Sequence, residues 1–456
     1  MDQNLKVSRY AKTILFDDTS IGLYSGLTGA LIESAFTLDE LKYLIASKLE
    51  KLSDANLDTL LQTQILVPAT LNELSYISQR FNTMKYSNAV LSTTIIPTYP
   101  CTSGCSYCYQ DTKSGSMSDE ISDLTFRHIC NSLNYPRPLQ DLVVTWYGGE
   151  PMLEFNRILQ LGARIQEHCA RHEINYDSHI VTNGVYLTPE RVTELSTIGV
   201  TTVQVTIDGS KDDHDIRRPL KNPKIVGSSF DAALAGIESA LGNLSVAIRV
   251  NLDPTNISGT LQLLEDIERR GWFKETHTRR SIKMSFAYTS NFSGLSCRDL
   301  IHEPLTIVNF AKAELRLYKK LLRMGIDQLP YPTPRDYLCG AVDDNAIIID
   351  CFGDLYKCWL DVGRNERSHG TVGEPINFLH HSFQKWASYE PTNNKDCRNC
   401  DYLPLCMSKC PAEAMETENQ ADNVCDRWKY TLEETLKLHY EKKISAELMS
   451  KSTRAS

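Results

Sequence analysis

Along residues 10–34 the apolar positions come in short alternating runs broken by turn residues, AKTILFDD, IGLYSG and GALIES, and such runs predict two or three small strands. The period then lengthens. LDELKYLIASKLEKL (38–52) repeats its apolar residues at helical spacing, a second helix is expected over 55–64, and a third from about Leu71 to Lys85. From residue 89 strand and helix patterns alternate. Strands are expected at VLSTTIIP (90–97), LVVTWY (142–147), SHIVTN (178–183), TTVQVTI (201–207), VAIRVNL (246–252) and IKMSFA (282–287). Helical patterns lie between them, such as RILQLGARIQEHCARH (157–172) and FDAALAGIESAL (230–241). Six β/α repeats imply an α/β fold with a parallel sheet, flat or curled into a partial (β/α)6 barrel of TIM-like kind, and such folds bind ligands at the C-terminal ends of their strands.

A linking helix is expected near 306–325, followed by the Pro-rich YPTPRDY (331–337). From Cys339 to Cys425 the chain is cysteine-dense and turn-rich, and the tail reads as a charged helix fraying into polar residues. The expected division is a small β/α module over 1–88, the barrel over 89–300, a linker over 301–338, the cysteine-rich domain over 339–430 and the tail over 431–456.

Composition changes this picture only through cysteine. The 456 residues are 41% hydrophobic and 23% charged, with net charge −9, an ordinary soluble balance that argues against a nucleic-acid surface. The polar N-terminus is followed by no apolar signal region, and no stretch is long and apolar enough to span a bilayer, so a cytoplasmic location is expected. Fourteen cysteines are many for a reducing compartment where disulfides are rare. Ten fall in tight clusters and read first as metal ligands. Cys130 and Cys169 sit in helical patterns as core residues; Cys297 and Cys351 are scattered.

Cys101, Cys105 and Cys108 lie in PCTSGCSYCYQ, directly after the first barrel strand, with Tyr107 before the last cysteine. Three thiolates are one short of a full set for a four-iron cluster and would leave one iron open to a small ligand. A zinc knuckle is the other reading, although zinc in a structural site wants four ligands and His128 is twenty residues away. The spacing C-x3-C-x-aromatic-C at this place resembles the radical S-adenosylmethionine (radical SAM) superfamily. More of its pattern follows in order. Gly148, Gly149 and Glu150 in TWYGGEP end the second strand, where the family receives the methionine amino group; glycines admit close approach and a carboxylate pairs with an ammonium. Asn183 in VTNG ends the third strand. VTIDGSKDDHDIRR resembles a further family segment, and by position Thr206 and Arg218 would hold the methionine carboxylate, with Arg249 a weaker candidate.

The second cysteine region matches, gap for gap, the SPASM extension of that superfamily: Cys339, Cys358, Cys397-x2-Cys400-x5-Cys406-x3-Cys410 and Cys425, with Gly353 between the first two. The resemblance implies two auxiliary [4Fe-4S] clusters, three in all with the one at Cys101. Cys397, Cys400, Cys406 and Cys425 would serve one auxiliary cluster, and Cys339, Cys358 and Cys410 the other. The latter lacks a fourth cysteine. Cys351 is a candidate for it, an open iron the alternative, and zinc is a competing metal throughout.

The resemblance implies reductive cleavage of S-adenosylmethionine and hydrogen abstraction by the resulting radical, fed by an electron donor such as flavodoxin or ferredoxin. It names no catalytic acid or base. SPASM-bearing relatives act mostly on peptides, and residues 1–88 resemble modules that capture the leader of a precursor peptide as an added strand. The expected function is a maturase that installs a thioether or carbon-centred cross-link in a ribosomally made peptide. An anaerobic sulfatase maturase competes, but those enzymes carry Asp where this chain has Trp359. A non-catalytic iron–sulfur electron carrier is the reading from another class.

Overall fold

The computed structural model describes the chain apart from residues 1–3, 18–19, 34–37, 47, 87–88, 111–112, 135–137, 222–226, 274–280, 290–303, 337, 376, 408, 417–424 and 455–456. Cys297 therefore lies outside the described residues.

The N-terminal stretch runs β1 (Leu5–Val7), β2 (Ala11–Leu15), β3 (Ile21–Ser25), β4 (Leu31–Glu33), α1 (Leu38–Ile45), α2 (Asp54–Gln62), β5 (Leu66–Pro68) and α3 (Glu73–Lys85). Strands β2, β3 and β4 form an antiparallel sheet, and β1 pairs with β5. The helix expected over 38–52 stops at Ile45; a 3-10 turn follows, and Ser53 then caps α2 by accepting from the Asn56 amide.

The six expected barrel strands are all present: β6 (Val90–Ile95), β7 (Asp141–Trp146), β8 (Asn175–Thr182), β9 (Val200–Thr206), β10 (Ser245–Leu252) and β11 (Ile282–Tyr288). They pair in chain order, all parallel. Between them run α4 (Asp119–Asn134), α5 (Phe155–Arg171), α6 (Pro189–Thr197), α7 (Lys211–Arg217), α8 (Ser229–Ala240) and α9 (Ile257–Arg269). On β7 each second residue is buried, Leu142, Val144 and Trp146, and these join Ile95, Ile180, Val203 and Ile248 in the main core. Because all strands point the same way, their C-terminal ends share one face of the sheet.

After α10 (Ile307–Arg323), two strands not expected from the sequence extend this sheet. β12 (Ala346–Ile349) runs parallel to β6, with Ile349 opposite Ile95, and β13 (Leu355–Tyr356) turns back against it. The cysteine-rich segment is thus stitched to the edge of the barrel. Short helices follow, α11 (His381–Ala387), α12 (Lys395–Arg398), α13 (Leu403–Cys406) and α14 (Pro411–Glu416), then the long α15 (Trp428–Arg454). The tail is more than a charged helix. Trp428, Leu432 and Leu436 are buried with Ile14, Tyr24 and Leu405, and Tyr440 stacks on Phe16, so α15 packs the N-terminal sheet against the rest. Among the described residues no helix is long and apolar enough to cross a membrane.

Glu314 on α10 is buried and ion-paired with Arg427 at the start of α15. Burial pushes its carboxyl up to about 7, outweighing the pull of Arg427. Below the ordinary carboxylate range Glu314 is protonated in both folded and unfolded chains. As pH rises the unfolded chain releases this proton first, so stability falls until the folded group also ionises near 7. Across that window the native protein is expected to lose about 3 kcal/mol from this group. Urea denaturation at pH 5 and pH 7 checks it: Glu314→Gln flattens the difference.

Candidate functional site

Cys101, Cys105 and Cys108 sit on the loop after β6, and the loop is held from three sides. From β7, the Gly149 amide donates to the Thr98 carbonyl at 3.1 Å and the Glu150 amide to the Pro100 carbonyl at 2.9 Å. From β8, Asn183 Nδ2 donates to Thr102 Oγ1 at 2.9 Å and Ser103 Oγ at 3.2 Å. At the end of α7 and just beyond it, the carbonyls of Arg217 and Pro219 accept from the Ser106 and Gly104 amides at 3.0 and 2.7 Å.

The two glycines serve this seam. Gly148 has φ +136°, in the region that favours glycine. A Cβ on Gly149 would collide with the carbonyl oxygens of Tyr99 and Pro100. Their freedom thus brings the β7 loop onto the cysteine loop. Glu150 is fully buried behind the cavity wall; its carboxylate accepts from Thr182 Oγ1 at 2.6 Å, the Asn183 amide at 2.8 Å and the Met152 amide at 3.1 Å. Burial raises its pKa, opposed by these three bonds.

A cavity of about 650 Å³ opens at the C-terminal ends of the strands, within the range of small-molecule sites. Cys101, Cys105, Tyr107, Cys108, Gly148, Gly149, Asn183, Thr206, Arg218 and Arg249 line it. So do Trp359 and Cys410 from the cysteine-rich segment. One wall is aromatic: the Tyr109 and Tyr147 hydroxyls share a hydrogen bond, and Tyr147 stacks on Trp359 with ring centroids 4.2 Å apart.

Tyr107 is the centre of a hub that sequence reading had only partly assigned. Its hydroxyl donates to Asp208 and accepts from Arg218 Nη1 at 2.6 Å and Asn251 Nδ2 at 3.1 Å. Asp208, wholly buried, also accepts from the Asn251 amide at 2.9 Å, and Arg217 ion-pairs with Asp253. Arg218 is held charged despite its burial, by Cys105, Tyr107 and Asp208. Asp208 had a legible signal, a carboxylate two residues past a strand end beside a glycine. Asn251 had none, since a polar residue late in a strand is commonplace.

The thiols themselves report what fits. All thirteen described cysteines are free. Burial, with Glu150, pushes Cys101 up to about 12, and burial raises Cys105 against the pull of Arg218. Thiols raised by burial, as Cys101 and Cys105 are, become thiolates readily only beside a cation. Of the second set, burial raises Cys339 and Cys358 and pushes Cys410 up to about 12, and each of Cys358 and Cys410 is raised further by Cys339. Burial likewise raises Cys400, with a further push from Cys425, and takes Cys406 up to about 12, helped by Asp426 and then Cys397. Cys339, Cys358 and Cys410 thus feel one another's charge, as do Cys400 with Cys425 and Cys406 with Cys397. Cys351 stays apart, in the main barrel core beside Asp350. Among the described residues no three His, Cys, Asp or Glu side chains gather as donors to one ion. A single ion asks for that closeness; a four-iron core spreads its thiolates more widely.

Residues 95–266 match the radical SAM superfamily model. The chain carries a radical SAM domain over that stretch. Two curated enzymes are similar over part of their length. An Fe-coproporphyrin III synthase of Methanosarcina barkeri is 26% identical over 191 residues, 40% of this chain and 44% of that protein. The radical SAM cyclopropyl synthase TigE of Paramaledivibacter caminithermalis is 22% identical over 220 residues, 41% and 46% of the two chains. The match thus spans less than half of these relatives. Among solved structures, native anSMEcpe with bound AdoMet superposes with a TM-score of 0.55 at 16% identity, over 77% of this chain and 99% of that one. Streptococcus suis SuiB bound to its precursor peptide SuiA superposes with 0.52 at 13%, over 93% and 98%. At such identities the likeness is one of fold.

Gly149→Ala should force the β7 loop off the cysteine loop. We expect a loss of roughly 1–3 kcal/mol in urea denaturation and reduced iron at the Cys101 site after anaerobic reconstitution.

Proposed function

We propose that the chain is a radical SAM peptide maturase with one substrate-facing [4Fe-4S] cluster and two auxiliary ones. Cys101, Cys105 and Cys108 would hold the first, leaving one iron for the amino acid end of S-adenosylmethionine. The observation that carries this reading is the single cavity that joins those cysteines, the barrel strand ends and Cys410. When bound, cluster and cofactor supply a one-electron cleavage to methionine and a 5′-deoxyadenosyl radical that takes hydrogen from a C–H bond.

The chain's own residues place and shield. Thr206 and Arg218 offer a hydroxyl and a guanidinium for the cofactor's carboxylate, and the Tyr107–Asp208 hub fixes that guanidinium. Glu150 shapes the receiving loop from behind. The Tyr109–Tyr147–Trp359 wall excludes water where a radical would form. We assign Cys339, Cys358 and Cys410 to an auxiliary cluster with an open iron, because Cys351 stands apart, and Cys397, Cys400, Cys406 and Cys425 to the other. Two solved structures of like fold support a peptide substrate: SuiB, seen with its precursor peptide SuiA, and native anSMEcpe, seen with AdoMet and a Kp18Cys peptide. The β2–β3–β4 sheet is our candidate for leader capture, through a strand added to its edge. A cross-link in the peptide, a flavodoxin- or ferredoxin-type donor and a cytoplasmic setting complete the proposal.

Sulfatase-type maturation is disfavoured. Trp359 stands where that reading wants an acid, and Asp361 faces away, accepting from Arg367 at 2.8 Å and Trp386 Nε1 at 3.2 Å.

Reconstituted protein should hold about twelve irons per chain and release 5′-deoxyadenosine on reduction with S-adenosylmethionine. Replacing Cys101, Cys105 and Cys108 by alanine should remove about four irons and all release. Zinc in their place, or release that survives the change, contradicts the proposal. Mass spectrometry of a candidate precursor peptide then reads the bond made.

A further inference from the structure

The charge of the cavity opposes the charge of the chain. The protein carries net charge −9, yet the lining residues include Lys113, Arg218, Lys221, Arg249 and Lys409 against one carboxylate, Glu413. Several of these cations are already engaged. Arg218 donates to Tyr107, Arg249 Nε donates to Asn251 Oδ1 at 2.9 Å, and Lys113 donates to Asn365 Oδ1 at 3.3 Å.

Lys409 is different. Its ammonium is shut off from solvent and, among the described residues, has no hydrogen-bond partner. It lies over the Tyr288 ring, 4.2 Å from the centroid, with Phe310 at 5.6 Å on the same side. Ring faces offset part of the cost of desolvating an ammonium, but they leave its three N–H donors unfilled. The Glu413 carboxylate nearby accepts the Tyr288 hydroxyl at 2.8 Å, and the buried Glu314 carboxyl on α10, already paired with Arg427, feels the Lys409 charge without a hydrogen bond to it. A buried cation that lines a ligand cavity without an acceptor is poised for an anionic ligand group, since leaving it unmatched is costly.

We infer that Lys409 anchors a carboxylate of the substrate peptide, from an acidic side chain or a chain terminus, inside this cavity. The inference deepens the peptide-maturase reading and rests on it. Tyr288 and Lys409 supply a flat apolar floor and one charge. The floor accommodates a side-chain stem and the ammonium takes the carboxylate in a charge-assisted bond. The Tyr147–Trp359 wall faces the same space and suits the rest of the peptide. Such an anchor would set which residue of the peptide stands before the cofactor. The competing role is internal: Lys409 adjoins Cys410 and would balance that thiolate's charge.

The test titrates three probe peptides into the reconstituted protein with S-adenosylmethionine bound, following heat. They are Ac-Ala-Glu-Ala-NH2, Ac-Ala-Gln-Ala-NH2 and Ac-Ala-Gln-Ala-OH. The first or the last should bind about tenfold more tightly than the neutral peptide, and which of them does so tells a side-chain carboxylate from a terminal one. Lys409→Met should erase the difference and Lys409→Arg should keep it. Equal binding of all three peptides by the wild-type protein overturns the inference, with no variant required. A preference that survives Lys409→Met also overturns it and leaves Lys409 to Cys410. Deoxyadenosine release is assayed separately. A protein that shows the preference without release contradicts the proposed function and not this site; release without preference does the reverse.

Discussion

The architecture turns on the seam where the cysteine loop after β6 lies against the ends of its neighbours. Backbone bonds from Gly149 and Glu150, the Asn183 amide and the strand of chain after α7 fix the loop from three directions. A loop that carries three cysteines in one fixed conformation cannot rely on itself alone, because ordering it costs about 1–2 kcal/mol per residue. Here the parallel sheet bears that cost. Its strand ends arrive side by side and each contributes one fixture.

The same seam explains why the conspicuous acid is buried. Glu150 spends its oxygens on Thr182 and on the amides of Asn183 and Met152. It thereby locks β7's loop to β8, and a shift in either would move the cysteines. Tyr107 does the corresponding work from within the loop, tying the third cysteine's neighbourhood to β9 and β10 through Asp208 and Asn251. Fold and site are thus one construction.

Much of this was legible in the chain. The barrel strands are short runs rich in β-branched residues and bounded by turn signals, with burial alternating as on β7; the observed ends differ from the expected ones by three residues at most, at Asn175. The cysteine spacings were equally plain. What escaped was set by distance along the chain. NAIIID is a short apolar run whose pairing with β6 joins Ile349 to Ile95 across some 250 residues, beyond any local period. The apolar stripe of α15, Trp428, Leu432 and Leu436, was hidden among charges that serve its outer face. The Tyr107 hub and the placing of Lys409 over Tyr288 and Phe310 depend on partners from β10, β11 and α10, which no spacing rule connects.

The central claim is that the trio at Cys101 holds a cluster with one iron facing the cavity. It is tested most directly in a variant whose seven auxiliary cysteines are replaced, so that one cluster remains. Electron paramagnetic resonance of the reduced protein, recorded without and with S-adenosylmethionine, is the measurement. A four-iron signal that changes when the cofactor is added is the predicted result. A signal that does not respond, or no four-iron signal in folded protein, contradicts the account.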